Sequence, residues 1–180
     1  MNKIWFTSDT HWGHVNITGA SVSRWKSGYR TFETTHEMNK TLTDTINKYV
    51  AEDDILYFLG DWCFGGHHKT PVYRNLINCK TIHFIRGNHD GKVDLYKECF
   101  ASLENVVKFE YKGLHFYLTH YPSDNWYGKD YGTIHLFGHV HNTVPGVGKS
   151  LDIGVDSAYA MFGEYRPFNI DEIIKIMETK

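Results

Sequence analysis

The chain is 180 residues long, 41% hydrophobic and 22% charged, with a formal charge of −2. That is the balance of a soluble globular protein, sized for one domain over residues 1–180, and it excludes a global basic field that would recruit long nucleic acid or an anionic membrane. No apolar run approaches the ~20 residues of a membrane span and no signal-peptide core opens the chain. Cys63, Cys79 and Cys99 lack CxxC spacing, so a cytoplasmic protein with reduced thiols is expected.

In chain order, the first apolar run is Ile4–Thr7, short and aromatic enough to read as a buried strand, and it ends in Ser8-Asp9-Thr10-His11. The segment from Arg24 to Arg30 interleaves three cations with aromatics, which suits stacking on a base while gripping a phosphate, or equally a solvated loop. Thr34-Thr35-His36-Glu37 has capping-box spacing, and Met38, Leu42, Ile46 and Tyr49 then share one helical face. A second strand, Ile55–Leu59, ends in Gly60-Asp61. A third, Ile82–Ile85, ends in Arg86-Gly87-Asn88-His89-Asp90. Short helices are expected over Thr70–Leu76 and Asp94–Phe100. Val106–Phe109 and Leu114–Leu118 read as strands joined by a turn at Glu110-Tyr111-Lys112-Gly113, and the second of them ends in Thr119-His120. Ile134–Phe137 leads into Gly138-His139-Val140-His141, and Leu151–Val155 is a last strand-like run. Ile170, Ile173, Ile174 and Met177 then form a helical stripe starting at Asn169. The mixture predicts an α/β domain with sheets covered by helices.

Twelve of the residues are His, and the polar clusters recur just past strand ends, the edge where α/β sheets assemble sites from several loops. Gly60, Gly87 and Gly138 precede them, as expected where backbone bends sharply or approaches a ligand. One Asp-x-His or Gly-Asp alone is an ordinary polar pair or turn. Five such clusters are hard to bury as unpaired carboxylates and imidazoles, and divalent cations would reverse that cost.

The ordered set Asp9-x-His11, Gly60-Asp61, Gly87-Asn88-His89-Asp90, His120 and Gly138-His139-x-His141 resembles the calcineurin-like metallophosphoesterase superfamily. The opening from Thr7 to Ile17 is similar to its small single-domain bacterial and phage phosphoesterases. The resemblance implies a four-layer α/β/β/α sandwich of two mixed β-sheets flanked by helices. It implies two divalent ions, one held by Asp9, His11 and His141, the other by Asn88, His120 and His139, with Asp61 bridging. Such donors suit Mn²⁺ first, with Zn²⁺, Fe or Ni²⁺ as other fits. Paired ions acidify a shared water, whose hydroxide attacks the ester, and clamp phosphoryl oxygens. The resemblance gives His89 the leaving-group side, as proton donor or charge stabiliser. Where many protein phosphatases of the superfamily carry an Asp three residues after the bridging one, this chain has Phe64, which leaves Asp90 as the candidate to orient His89.

His14, Arg30 and Arg86 are candidate phosphate contacts. Trp126–Tyr131 is a candidate pocket wall or ordinary packing, and His67-His68 a surface pair. The expected activity is hydrolysis of phosphomono- or phosphodiesters of a small, nucleotide-like substrate. A nuclease or RNA-end phosphatase is the alternative, and a non-catalytic metal-fold scaffold ranks below both. A metallo-β-lactamase-type site would need a His-x-His-x-Asp-His run, which is absent. Oligomeric state is not legible in the sequence.

Overall fold

The computed structural model describes residues 2–24 and 30–180. In chain order the elements are β1 (Ile4–Thr7), α1 (Val15–Thr18), α2 (Thr35–Tyr49), β2 (Ile55–Phe58), α3 (Thr70–Arg74), β3 (Thr81–Ile85), a 3-10 segment (Val93–Cys99), β4 (Ser102–Glu104), β5 (Val107–Tyr111), β6 (Leu114–Leu118), β7 (Ile134–Phe137), β8 (Ser150–Asp152), α4 (Val155–Phe162), β9 (Phe168–Asn169) and α5 (Ile170–Met177).

They form two mixed sheets flanked by helices. The first has the order β4-β3-β2-β1-β9, parallel except for β9, and the second the order β5-β6-β7-β8, parallel except for β5. Side-chain alternation assigns each strand of the first sheet to two cores. Trp5, Leu56, Phe58, Ile82 and Phe84 face the helical side, where Met38, Leu42 and Ile46 of α2 cover them. Phe6, Leu59 and Ile85 face the second sheet and meet Phe116, Leu118, Ile134 and Leu136. Between the sheets Phe6, Tyr57, Phe109 and Phe116 stack, with centroids 5.0–6.4 Å apart. This aromatic layer fixes the spacing of the two sheets, and so the spacing of the loops at their ends.

The expected caps form. Thr34 accepts from Glu37 N at the start of α2, and Asn169 and Glu172 make a reciprocal capping box on α5. The hairpin between β5 and β6 closes through Lys112 (φ 52°) and Gly113 (φ 78°), two left-handed residues that suit a tight two-residue turn. The last expected strand is shorter than the run Leu151–Val155. Asp152 Oδ1 accepts from Gly154 N at 2.8 Å, this local turn stops β8, and Val155 opens α4 instead. Among the described residues no helix is long and apolar enough to cross a membrane.

Candidate metal centre

The backbone at the ends of β1, β2 and β7 is strained in a way that serves one point in space. Asp9, His11, Asp61, His139 and His141 all have positive φ, between 47° and 70°. For a non-glycine residue the left-handed region costs roughly 1–2 kcal/mol, so five occurrences persist only because surrounding contacts over-determine them. Asp9 N donates to Gly60 O and His11 N to Asp61 O within the first sheet's loops, Gly138 N donates to His120 O within the second's, and His139 N crosses to Asp9 Oδ2 at 2.9 Å, so the loops of the two sheets brace one another.

The result is two triads of donors. Asp9, His11 and His141 place ligand atoms within 4.8 Å of one another, and so do Asp61, His120 and His139. Asn88 Oδ1 joins the second triad, 3.0 Å from His120 Nε2 and 2.9 Å from His139 Nδ1. Asp61 Oδ2 lies 3.4 Å from His11 Nε2 and 3.5 Å from His120 Nε2, so one carboxylate oxygen faces both triads.

The fit to cations can be judged from groups that lack partners. Asp9 Oδ1 and both ring nitrogens of His11 are buried without a hydrogen-bond partner, a costly arrangement for a carboxylate and an imidazole that a positive ion would resolve. The electrostatics agree. Burial pulls against ionisation of Asp61 and against protonation of His120, yet their mutual attraction, with Asp9 nearby, leaves the carboxyl at about 2 and the imidazole at about 9. Burial holds His11 below the ordinary histidine range, favouring the neutral ring a metal needs. His120 Nδ1 donates to Leu59 O at 2.6 Å, which leaves Nε2 as its ligand atom. Two glycines admit the carboxylates. A methyl group at Gly87 would sit 2.2 Å from Asp61 Oδ1, and one at Gly138 would sit 2.4 Å from Asp9 Oδ2.

The calcineurin-like phosphoesterase profile matches residues 2–164 of this chain. The chain belongs to that family. It is therefore a metal-dependent phosphoester hydrolase. It is 34% identical to an uncharacterised protein of Methanocaldococcus jannaschii over 99% of this chain and 93% of that protein. It is 24% identical to the Gene 66 protein of Mycobacterium phage D29 over 80% of this chain and 81% of that one. A protein of unknown function from Aquifex aeolicus shares the fold, with a TM-score of 0.71 at 22% identity, over 98% of this chain and 100% of that one.

Within this calcineurin-like phosphoesterase, His89 sits exposed beside the donors, its N–H on Asp61 Oδ1 at 3.0 Å and its ring 4.7 Å from that of Phe64. Phe64 in turn stacks on His14 at 3.7 Å, with rings 5° from parallel. Position 64 thus contributes aromatic packing and no carboxylate. Asp90 does not orient His89. Its buried carboxylate accepts from the backbone N–H groups of Asp61 (2.7 Å), Gly87 (2.8 Å) and Trp62 (3.1 Å), so it shapes the loop that carries Asp61.

Arg30 is not the phosphate contact expected from the sequence. Its side chain is fully buried and its donors are spent on Asp156, Thr10 O and Asp9 O, so it cannot reach a substrate. The rest of the Arg24–Arg30 reading falls on residues 25–29, outside the described residues. Arg86 pairs with Asp94 and Asn105 and supports the neighbouring loop instead of facing the donors. His14 is nearly buried, and burial among neighbouring His and Arg groups pulls its imidazole down to about 4, which suits a neutral ring and not a phosphate-binding cation. Trp126 is buried against His135 and donates to Thr133 O, while Tyr131 is 92% exposed, so this segment packs on the second sheet and does not wall the centre.

Sequence reasoning missed Tyr121, whose ring meets His139 edge-on at 4.6 Å. It also missed Asp156, 2.7 Å from His141 Nδ1. Tyr121 directly follows His120 and could have been suspected. Asp156 carries no local signal.

Proposed function

We propose that the protein hydrolyses phosphomono- or phosphodiesters of a small, nucleotide-like substrate with two divalent ions, Mn²⁺ first among Mn²⁺, Zn²⁺, Fe and Ni²⁺. The observation that carries the dinuclear reading is the position of Asp61 Oδ2, which belongs to the second triad yet lies as near to His11 Nε2 of the first (3.4 Å) as to His120 Nε2 of its own (3.5 Å). Asp9, His11 and His141 would hold one ion, Asn88, His120 and His139 the other, and Asp61 both. When bound, such ions supply Lewis acidity to phosphoryl oxygens and acidify water.

The chain's own groups do the rest. Asp90 holds the Asp61 loop, Asp61 Oδ1 accepts the His89 N–H, and Phe64 limits the His89 ring to the mouth of the centre. There the imidazole would meet the leaving-group oxygen and give it a proton. A pocket of about 230 Å³ opens beside His89, lined by Phe64, Gly66, His67, Thr70 and Lys92 among others. It is smaller than a typical drug-sized site and suits one ring-sized leaving group. The net charge of −2 and the buried Arg30 weigh against a nuclease, which would need exposed cations along a strand.

The test is a panel of aryl phosphomonoester, aryl phosphodiester and cyclic-nucleotide substrates with Mn²⁺, run on wild type and on protein stripped of metal. Hydrolysis that disappears with metal and returns with Mn²⁺ is expected. Activity that survives verified metal removal overturns the reading, and a steep loss of rate with salt on oligonucleotides would favour the nuclease.

A further inference from the structure

We propose that Asp156, clamped by Arg30, is a positioning residue that sets the metal affinity of the Asp9–His11–His141 triad, an inference that rests on the dinuclear reading above. Asp156 stands in the first turn of α4, and its carboxylate is almost wholly buried. Oδ2 accepts from His141 Nδ1 at 2.7 Å. Oδ1 accepts from Arg30 Nε at 2.9 Å, and Oδ2 also from Arg30 Nη2 at 3.0 Å.

Two consequences follow from chemistry. With its Nδ1 proton given to a carboxylate, the imidazole must present Nε2 as its ligand atom, and the negative charge behind it makes that nitrogen a stronger donor. The fork geometry of Arg30 also fixes Asp156 itself, because two parallel charge-assisted bonds permit little rotation. Three N–H donors, two from Arg30 and one from His141, converge on the Asp156 carboxylate, which accepts from all of them as an anion would.

The same guanidinium reaches further. Arg30 Nη1 donates to Thr10 O at 2.9 Å and Nη2 to Asp9 O, the backbone that carries the other two members of the triad. One buried cation therefore ties β1's loop, His141 and the start of α4 together. The second triad is built differently. His120 leans on a neutral carbonyl, Leu59 O, so its donor strength has no charged support from behind. Loss of Asp156 should consequently fall on one metal position and largely spare the other.

The experiment is a calorimetric Mn²⁺ titration of wild type and Asp156→Asn, with thermal melting by circular dichroism as the control for folding. In folded Asp156→Asn, one class of Mn²⁺ site is expected to weaken about 10–100-fold while the other changes far less. Equal weakening of both classes, or of neither, overturns the proposal. Removing the carboxylate leaves the Arg30 charge buried and unpaired, which can unfold the variant. In that event the wild-type protein decides. Nitrogen spectra of Zn²⁺-loaded protein labelled on its imidazoles are expected to show His141, assigned by its loss in His141→Ala, protonated at Nδ1. Protonation at Nε2 overturns the proposal. Wild type that takes up no Mn²⁺ brings down the dinuclear reading itself and this inference with it, a result distinct from two sites without a selective effect.

Discussion

His89 and Asp90 are neighbours in sequence with separate work. The His89 ring meets that of His11 edge-on, with centroids 5.5 Å apart, and lies exposed at the mouth of the triads without belonging to either, so His89→Ala is expected to retain both metals while turnover falls by about 10²–10⁴. The loss should be smaller for a nitrophenolate leaving group, which needs little protonation, than for an alkyl ester. Paired kinetics on two such substrates, with metal content measured, check this, and equal losses would make His89 an electrostatic group instead of an acid. Asp90→Ala has the opposite signature. It strands three N–H groups, each costing about 1–3 kcal/mol if left unpaired, and all three position the Asp61 and Gly87 loops. Melting temperature and Mn²⁺ affinity at both positions are expected to fall together. Residue types and strand-end positions drew attention to the five polar clusters, and the family resemblance selected the seven proposed ligands from them. Direction was not legible. Arg30, Arg86 and Asp90 look like ligand-facing charges until the fold shows which way each points, and Asp156 joins the centre only because α4 starts against Ser8, where Val155 N donates to Ser8 O.

At the scale of elements, strands of four or five residues ending in Gly and a polar group could be read directly, because apolar runs and turn residues are local signals. Two features could not. β4 and β9 have three and two residues, too few to show a period. The apolar run Leu151–Val155 hides the Asx-type turn that divides β8 from α4. The junctions themselves are the vulnerable parts. Gly138→Ala would drive a methyl group into Ser8 Oγ and Asp9 Oδ2, both rigidly placed, so metal binding should drop sharply with only a modest change in helix content. Retained Mn²⁺ affinity in that variant would mean the loop can yield. Asp54 ties β1 to the start of β2, accepting from Lys3 N, Trp5 Nε1 and Ala51 N. Burial opposes its ionisation, but these three bonds prevail and its carboxyl lies below the ordinary value. A depressed folded pKa contributes stability above the unfolded value of ~3.9 that is lost as pH falls through the folded one. Asp54→Asn should therefore be less stable than wild type near neutrality, and the gap should narrow in acid, as denaturant unfolding at several pH values would register.

At the scale of the whole molecule, the proposed ligands divide between the sheets. Asp9, His11, Asp61 and Asn88 follow β1, β2 and β3, whereas His120, His139 and His141 follow β6 and β7. Ions at this seam would clamp the two sheets, so binding is coupled to global stability. One ion at a hundredfold excess over its Kd adds about 2.7 kcal/mol, and at about 2–4 °C per kcal/mol for a chain of this size its removal should lower Tm by roughly 5–10 °C. Protonation supplies a sharper test. Without ions the Asp61 and Asp9 carboxylates keep His120 protonated up to about 9, overcoming its burial. Its folded pKa is raised, so its contribution to stability is complete below the unfolded value of ~6.5 and disappears as pH rises to about 9. Chelated protein should accordingly lose stability across that window, and metal-loaded protein, in which the ion replaces the proton, should not. The same replacement requires that Mn²⁺ binding near pH 7.5 release a proton from His120, seen as acidification of a weakly buffered solution, and that affinity at this position fall as pH is lowered. His120→Ala is expected to abolish the released proton together with the second site. Full proton release in that variant would assign the titrating group elsewhere in the centre.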